Sequence, residues 1–189
     1  RARDRNRAPP APEPPADASL ADAKVAEVVE LLAGRDAPAL VFCASYDGVA
    51  RVARGLEAAG VAVASFTGAT PRSKRERAVA ALQAGRVAAL VATLGAGGVG
   101  LNLTAAALVV FFEPCLDASA YRQAVGRAHR LGQTREVRVA VLAVEGTHEE
   151  TALALLDARL PPRDLGNGLE QDQAKLKLHA LADATLSRF

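Results

Sequence analysis

The chain is poor in aromatic side chains, which make up 4% of its 189 residues, and it holds only two cysteines, Cys43 and Cys115. Alanine and valine dominate a composition that is 50% hydrophobic. A core built from such small and branched side chains favours closely packed strands and helices. Both cysteines lie in or beside apolar runs, and the three histidines do not stand at zinc-ligand spacing from them. They therefore read as reduced core thiols of an intracellular protein rather than as disulfide or metal positions. No apolar run approaches the roughly 18 residues of a membrane span, and the arginine- and proline-rich start carries no signal-peptide core. A soluble chain is expected, with nucleus or cytoplasm open. Two further absences bear on chemistry: there is no GxxxxGK[ST] phosphate loop and no strand-borne pair of acids to hold Mg²⁺. The chain can stabilise phosphate charge, but it is not expected to cradle and cut a nucleoside triphosphate alone.

Lysine and arginine number 23 against 21 acids, a net charge of +2, so any nucleic-acid function rests on local clusters rather than on bulk charge. The length fits one domain with tails. Residues 1–18 combine arginines with repeated prolines and no apolar periodicity, the composition of a disordered linker or tail. Residues 19–160 read as the folded domain. Residues 161–189 open with helix breakers and then turn helical around Leu176, Leu178 and Leu181, as an appended C-terminal helix would.

Within the folded part, apolar runs and helical stripes alternate. Ser19 and Asp22 stand at capping-box spacing before a stripe of Val25, Val28, Val29 and Leu32 that ends at Gly34. The run 39–43 reads as a strand, and Asp47 as the cap of a helix carrying Val49, Val52 and Leu56. Residues 61–66 give a second strand, and Thr70-Pro71 a cap and first-turn proline for a helix with Val79 and Leu82. Continuous apolar runs at 87–93 and 107–112 fit strands covered on both faces. A strand over 137–144 follows, and then a capping box of Thr147 and Glu150 opens a helix with Leu153, Leu155 and Leu156. Alternation of this kind implies right-handed crossovers and a mostly parallel, three-layer α/β sheet, with ligands at the carboxyl ends of the strands.

Residues 121–138, YRQAVGRAHRLGQTREVR, put Gln123, Arg127 and Arg130 at i, i+4 and i+7, where one helical face aims an amide and two guanidiniums in the same direction. Paired guanidiniums suit a polyphosphate, because they stay charged and their planar forks match phosphate oxygens. Arginines at helical spacing are usually a solvated face. This segment lacks the glutamate partners that such a face carries, and Gly126 and His129 interrupt it.

TLGAGGVGLNLT, residues 93–104, formally matches the dinucleotide fingerprint at Gly95, Gly97 and Gly100. Its glycines run within a few residues into another strand, and the nearest acids, Glu113 and Asp117, come too early for a Rossmann site. What the loop offers is accessible backbone N–H groups beside Thr93, Asn102 and Thr104, which suit phosphate contacts without base reading. Taken alone, a glycine loop at a crowded strand end is more often a structural device. Thr67-Gly68 ends another strand and precedes Arg72, Lys74, Arg75 and Arg77, a cluster that fits either phosphate contacts or a solvated basic face.

TLGAGGVGLNLTAA, FFEP, QAVGRAHRLGQT and EGTHEE together resemble the C-terminal helicase lobe of the Swi/Snf-type ATPases of superfamily two, over roughly residues 20–158. Glu113-Pro114 and Gly126 are most similar to the branch of RING-containing repair helicases related to SHPRH. The resemblance implies a RecA-like lobe in a nuclear, DNA-stimulated ATP-driven translocase of chromatin remodelling or DNA repair. It implies Arg127 and Arg130 as arginine fingers, with Gln123, Gly98 and Gly100 at the nucleotide. ATP and Mg²⁺ would be held mainly by an absent first lobe. Ser45, Thr67, Gly68, Arg75, Thr93 and Asn102 would grip the backbone of double-stranded DNA. The partners implied are that first lobe, the DNA, and nucleosomes or ubiquitin machinery, with no membrane. Asp22, in the DAK of 22–24, departs from the family's Ser-x-Lys, and residues 117–120 depart from its Asn-Pro stretch. The alternative is a degenerate lobe serving as a protein-interaction platform in a ubiquitin ligase.

Overall fold

The computed structural model describes residues 16–97, 100–159 and 177–178. Five strands, β1 (Ala39–Cys43), β2 (Val63–Phe66), β3 (Ala89–Thr93), β4 (Leu108–Phe111) and β5 (Arg138–Val141), form one parallel sheet in the order β2-β3-β1-β4-β5. Parallel neighbours require crossovers, and the helices α1 (Ala16–Leu32), α2 (Tyr46–Ala58), α3 (Arg72–Gln83) and α5 (Ala118–Ala128) cover both faces. Alternate strand residues therefore enter two separate cores. Val41, Val91 and Val110 pack with Val28 of α1 and Val52 and Leu56 of α2. Leu40, Leu90 and Val109 pack with Leu82 of α3 and Ala124 and Val125 of α5. The expected three-layer α/β architecture is what forms.

Close packing of α1 on α2 depends on one glycine. A Cβ on Gly55 would lie 2.1 Å from Cγ1 of Val25, so the two helices meet where a side chain is missing. The strand register also aligns the carboxyl ends. Phe42, Ala92, Phe66, Phe111 and Val141 occupy one row across the sheet. The segments that follow these residues consequently share one edge.

Several boundaries differ from those read in the sequence. Helix α1 begins at Ala16, inside the stretch assigned to the tail and upstream of the Ser19 cap, because Ala16, Asp17 and Ala18 follow Pro15 without a breaker. Residues 1–15 lie outside the described residues. Ser45, not Asp47, caps α2, its hydroxyl accepting from the Gly48 N–H. Pro71 occupies the N-cap of α3, and Thr70 accepts from Thr67 N instead. Leu94–Gly97 forms a short helical turn, α4, where a glycine loop leading to a strand was expected. The strand over 137–144 is broken at Leu142 into β5 and β6 (Ala143–Val144).

The last helix among the described residues, α6 (His148–Arg159), buries Leu153 and Leu156 but leaves Leu155 exposed. Of the C-terminal helix expected around Leu176, Leu178 and Leu181, most lies outside the described residues. Lys177–Leu178, β7, pairs as a strand in parallel with β6.

Candidate functional site

Helix α5 starts at a well-made cap: Asp117 Oδ1 accepts from Ser119 N at 2.8 Å and Ala120 N at 3.2 Å. It ends at Ala128, with His129 as C-cap. Arg130 is therefore not on the helix face at i+7 but in the turn beyond, its N–H bonded to Ala128 O at 3.2 Å. The helix stops because Gln133 takes its terminal carbonyl. Gln133 Nε2 donates to Ala128 O at 3.2 Å and to Ala106 O at 2.8 Å, while Oε1 accepts from Arg135 N at 2.9 Å. Gly132, at φ +97, supplies the left-handed residue that closes the turn.

The two arginines stay together despite the break. Arg127 is half-buried, and its pKa is lowered first by that burial and then by the positive charge of Arg130. The positive charge of Arg130 thus acts on a partly buried Arg127 guanidinium, an arrangement that a nearby anion would relieve. Gln123 is exposed, one turn earlier on α5, within 3.4 Å of Ser119 Oγ.

This arginine turn does not lie at the carboxyl edge of the sheet. Helix α5 runs back antiparallel to the strands, and Arg127 O accepts from Leu103 N at 3.0 Å. Leu103 lies five residues before β4, in the connection whose Ala107 N bonds to Pro38 O just ahead of β1. Arg127 is thus near the amino-terminal edge. The glycine-rich connection leaves β3 at the carboxyl edge through Thr93 and α4, and it reaches the arginines at Leu103. Gln83, at the end of α3, holds it by donating to Asn102 O at 3.1 Å and accepting from Ala105 N at 2.8 Å.

At the carboxyl edge, Ser45 and Gly68 are exposed and Thr67 is half-buried. The Tyr46 hydroxyl lies 3.5 Å from where a Cβ on Gly68 would be, so the turns after β1 and β2 meet. Thr93 is buried at 7% exposure and anchors the connection instead of facing outward. Arg75 is half-buried in the first turn of α3, and its Nε is buried with no hydrogen-bond partner among the described residues. No acid occupies that first turn. Arg72, by contrast, is exposed and paired with Glu76 at 2.8 Å. Asn102 is exposed but belongs to the arginine end of the connection, Gly100 is exposed at φ +59, and Gly98 lies outside the described residues.

Residues 23–132 match the family described as the helicase conserved C-terminal domain. The chain belongs to that family. Over 84 residues this lobe is 39% identical to the DNA repair protein RAD5 of Candida glabrata, covering 44% of the chain and 7% of that protein. It is 34% identical over 116 residues to the helicase-like transcription factor of Mus musculus, covering 60% of the chain and 11% of that protein. It is 54% identical over 55 residues to the chromatin-remodeling ATPase INO80 of Saccharomyces cerevisiae, covering 29% and 4%. The lobe thus spans about a tenth or less of the length of these Swi/Snf-type relatives. Its fold matches the C-terminal part of the Fun30 ATPase domain, with a TM-score of 0.67 at 24% identity over 74% of this chain and 46% of that one. It also matches the E. coli DEAD-box protein SrmB, with a TM-score of 0.66 at 25% identity over 75% and 81%.

The sequence reading of this helicase lobe missed its fastening residues. Gln83 and Gln133 pin the connection at both sides, and nothing in a lone glutamine signals that. Glu113 bonds Ala44 N through Oε2 at 2.9 Å, tying the ends of β4 and β1. Burial raises its pKa, against the lowering influence of the Ala44 N–H and Lys24. Lys24, from the DAK sequence, forms a buried 2.7 Å ion pair with Glu149 and lies 4.7 Å over the Phe112 ring. It stitches α1 to α6 beside a cavity of about 230 Å³.

Proposed function

We propose that this chain is the second motor lobe of a nuclear, DNA-stimulated, ATP-driven translocase acting in chromatin remodelling or repair. Arg127 and Arg130 reach ATP held by a first lobe elsewhere in the protein. The observation that carries this reading is the span of the connection from Thr93 to Ala106. It starts at the edge where Ser45, Thr67 and Gly68 gather and ends hydrogen-bonded to the backbone of Arg127. One element thereby touches both candidate sites.

The arginine pair fits a triphosphate because half-buried Arg127 lies under the positive charge of exposed Arg130, and an anion would relieve that repulsion. Mg²⁺ supplies charge neutralisation at the transferring phosphoryl group and belongs with ATP on the first lobe. Arg127, held by the Leu103 N–H, and Arg130, held in the turn that Gln133 closes, stabilise the charge that develops there when the lobes meet. Gln123 and Gly100 complete the face turned to the nucleotide, and Gly98, assigned with them by the resemblance, lies outside the described residues. On the other edge, Ser45, Thr67, Gly68 and Arg75 contact DNA phosphates, with Thr93 anchoring the connection and Asn102 lying along it. Such contacts do not read bases, as movement along any sequence requires. In this reading the motor lobe begins with α1 at Ala16 rather than at residue 19.

The test is hydrolysis by the two-lobe protein with and without duplex DNA. Arg130→Ala is expected to reduce DNA-stimulated turnover by about 10³-fold or more while the unfolding midpoint stays put. Turnover that survives this substitution sinks the assignment. The chain alone is expected to show negligible hydrolysis.

A further inference from the structure

Among the described residues, four large hydrophobic side chains are exposed: Tyr46 at 59%, Leu116 at 51%, Leu155 at 45% and Leu131 at 101%. Leu131 stands apart because no part of it is covered, and because it directly follows Arg130. An exposed leucine on a mobile tip would mean little. This one sits in a turn that the lobe fastens firmly. Gln133 N bonds to Arg130 O at 2.9 Å, the Gln133 side chain grips Ala106 O and Ala128 O, and Gly132 adopts φ +97. The turn spends backbone order and three side-chain hydrogen bonds on holding an apolar side chain out into water. Among the described residues, none covers that side chain.

We propose that Leu131 is an apolar anchor that enters a hydrophobic recess on the nucleotide-holding lobe as Arg130 reaches across. The proposal rests on the reading of Arg127 and Arg130 given above and adds the surface through which the lobes register. Leu131 and Arg130 leave the same rigid turn, so a body that meets the guanidinium meets the leucine. A DNA backbone is the wrong occupant, because it is charged and offers a leucine no apolar surface. The edge where Ser45, Thr67 and Gly68 gather is also at the far end of the connection from Arg127. Fully burying a leucine is worth at least a factor of about ten in an association equilibrium, enough to bias closure toward the geometry in which the arginines act.

The experiment uses the two-lobe protein, with fluorophores on each lobe reporting closure in ADP–beryllium fluoride and duplex DNA, alongside steady-state ATPase. Leu131→Ser is expected to lower the closed-to-open ratio and kcat by about tenfold or more. Its unfolding midpoint should be unchanged, since the side chain has no contacts to lose. Leu131→Ile is expected to restore both readouts. Normal closure and kcat in Leu131→Ser, with Arg130→Ala inactive, overturns the anchor and leaves the arginine assignment standing. Normal turnover in both variants overturns the two together. Normal closure in Leu131→Ser with weakened DNA binding instead assigns the leucine to nucleic acid and overturns the anchor.

Discussion

Replacing Gln133 by alanine removes the residue that ends α5 and fixes the turn carrying Arg130, so it separates fastening from chemistry. Three hydrogen bonds are lost: to Ala106 O at 2.8 Å, to Ala128 O at 3.2 Å and from Arg135 N at 2.9 Å. Arg135 is exposed, so its N–H regains water, and the loss falls on the two part-buried carbonyls. At about 0.5–1.5 kcal/mol for each bond, the cost is about 1–3 kcal/mol. Gln133→Glu should cost at least as much, because it replaces a donor with an anion facing two carbonyl oxygens, that of Ala128 at the negative end of α5. Urea unfolding of the chain measures both. A double-mutant cycle on ATPase in the two-lobe protein then asks whether Gln133 acts through Arg130. With Arg130 already alanine, removal of Gln133 should cost little further turnover. A stability loss below about 0.5 kcal/mol, or fully additive effects on turnover, refutes the reasoning.

Two further predictions concern the frame. Burial raises the Glu113 pKa above the ordinary value of 4.5, so its contribution to stability is complete below that value and is lost as pH rises through the raised one. Glu113→Gln, which keeps an acceptor for Ala44 N, should therefore gain on wild type as pH climbs from about 4.5 towards neutrality; a difference in urea midpoint that does not change with pH refutes this. The glycines of the helices give an opposed pair. A Cβ on Gly126 meets open space, whereas one on Gly55 would strike Val25. Gly126→Ala should thus stabilise by about 0.5–1 kcal/mol and Gly55→Ala destabilise by about 1–3 kcal/mol. Equal shifts in thermal midpoint would show that neither site is understood.

The parallel sheet was legible because its signal is local and repeated. Runs such as 39–43 and 87–93 are apolar throughout only if both faces are covered, and the structure covers them with α1 and α2 on one face and α3 and α5 on the other. The helix stripes through Val25, Val28 and Leu56 carry the same information. What failed to show was any feature set by a distant partner. Asp47 has the chemistry of a cap as much as Ser45 has, and only the backbone entering α2 selects the latter. Leu142 interrupts the last strand because β6 leaves the main sheet to pair with β7. Lys24 and Glu149 are 125 positions apart, and neither signals the other.

The arginine motif shows the same limit within a single element. Helical spacing put Arg130 on a face with Gln123 and Arg127, yet Gln133, three residues further on, caps the helix at Ala128 and swings Arg130 into a turn. That change alters what the pair is for. Two arginines on one helical face would move as one rigid stripe. Here Arg127 is tied through its backbone to Leu103, while Arg130 is tied through Gln133 to Ala106 and Ala128. Both tethers lead into the connection that begins at Thr93. A strain entering from the carboxyl edge of the sheet therefore reaches the two guanidiniums by separate hydrogen-bonded routes, and it can alter their spacing as well as their position. Under the proposed function, that division would let DNA contact at one edge alter the charge presented to phosphate at the other, which a continuous helix would not provide.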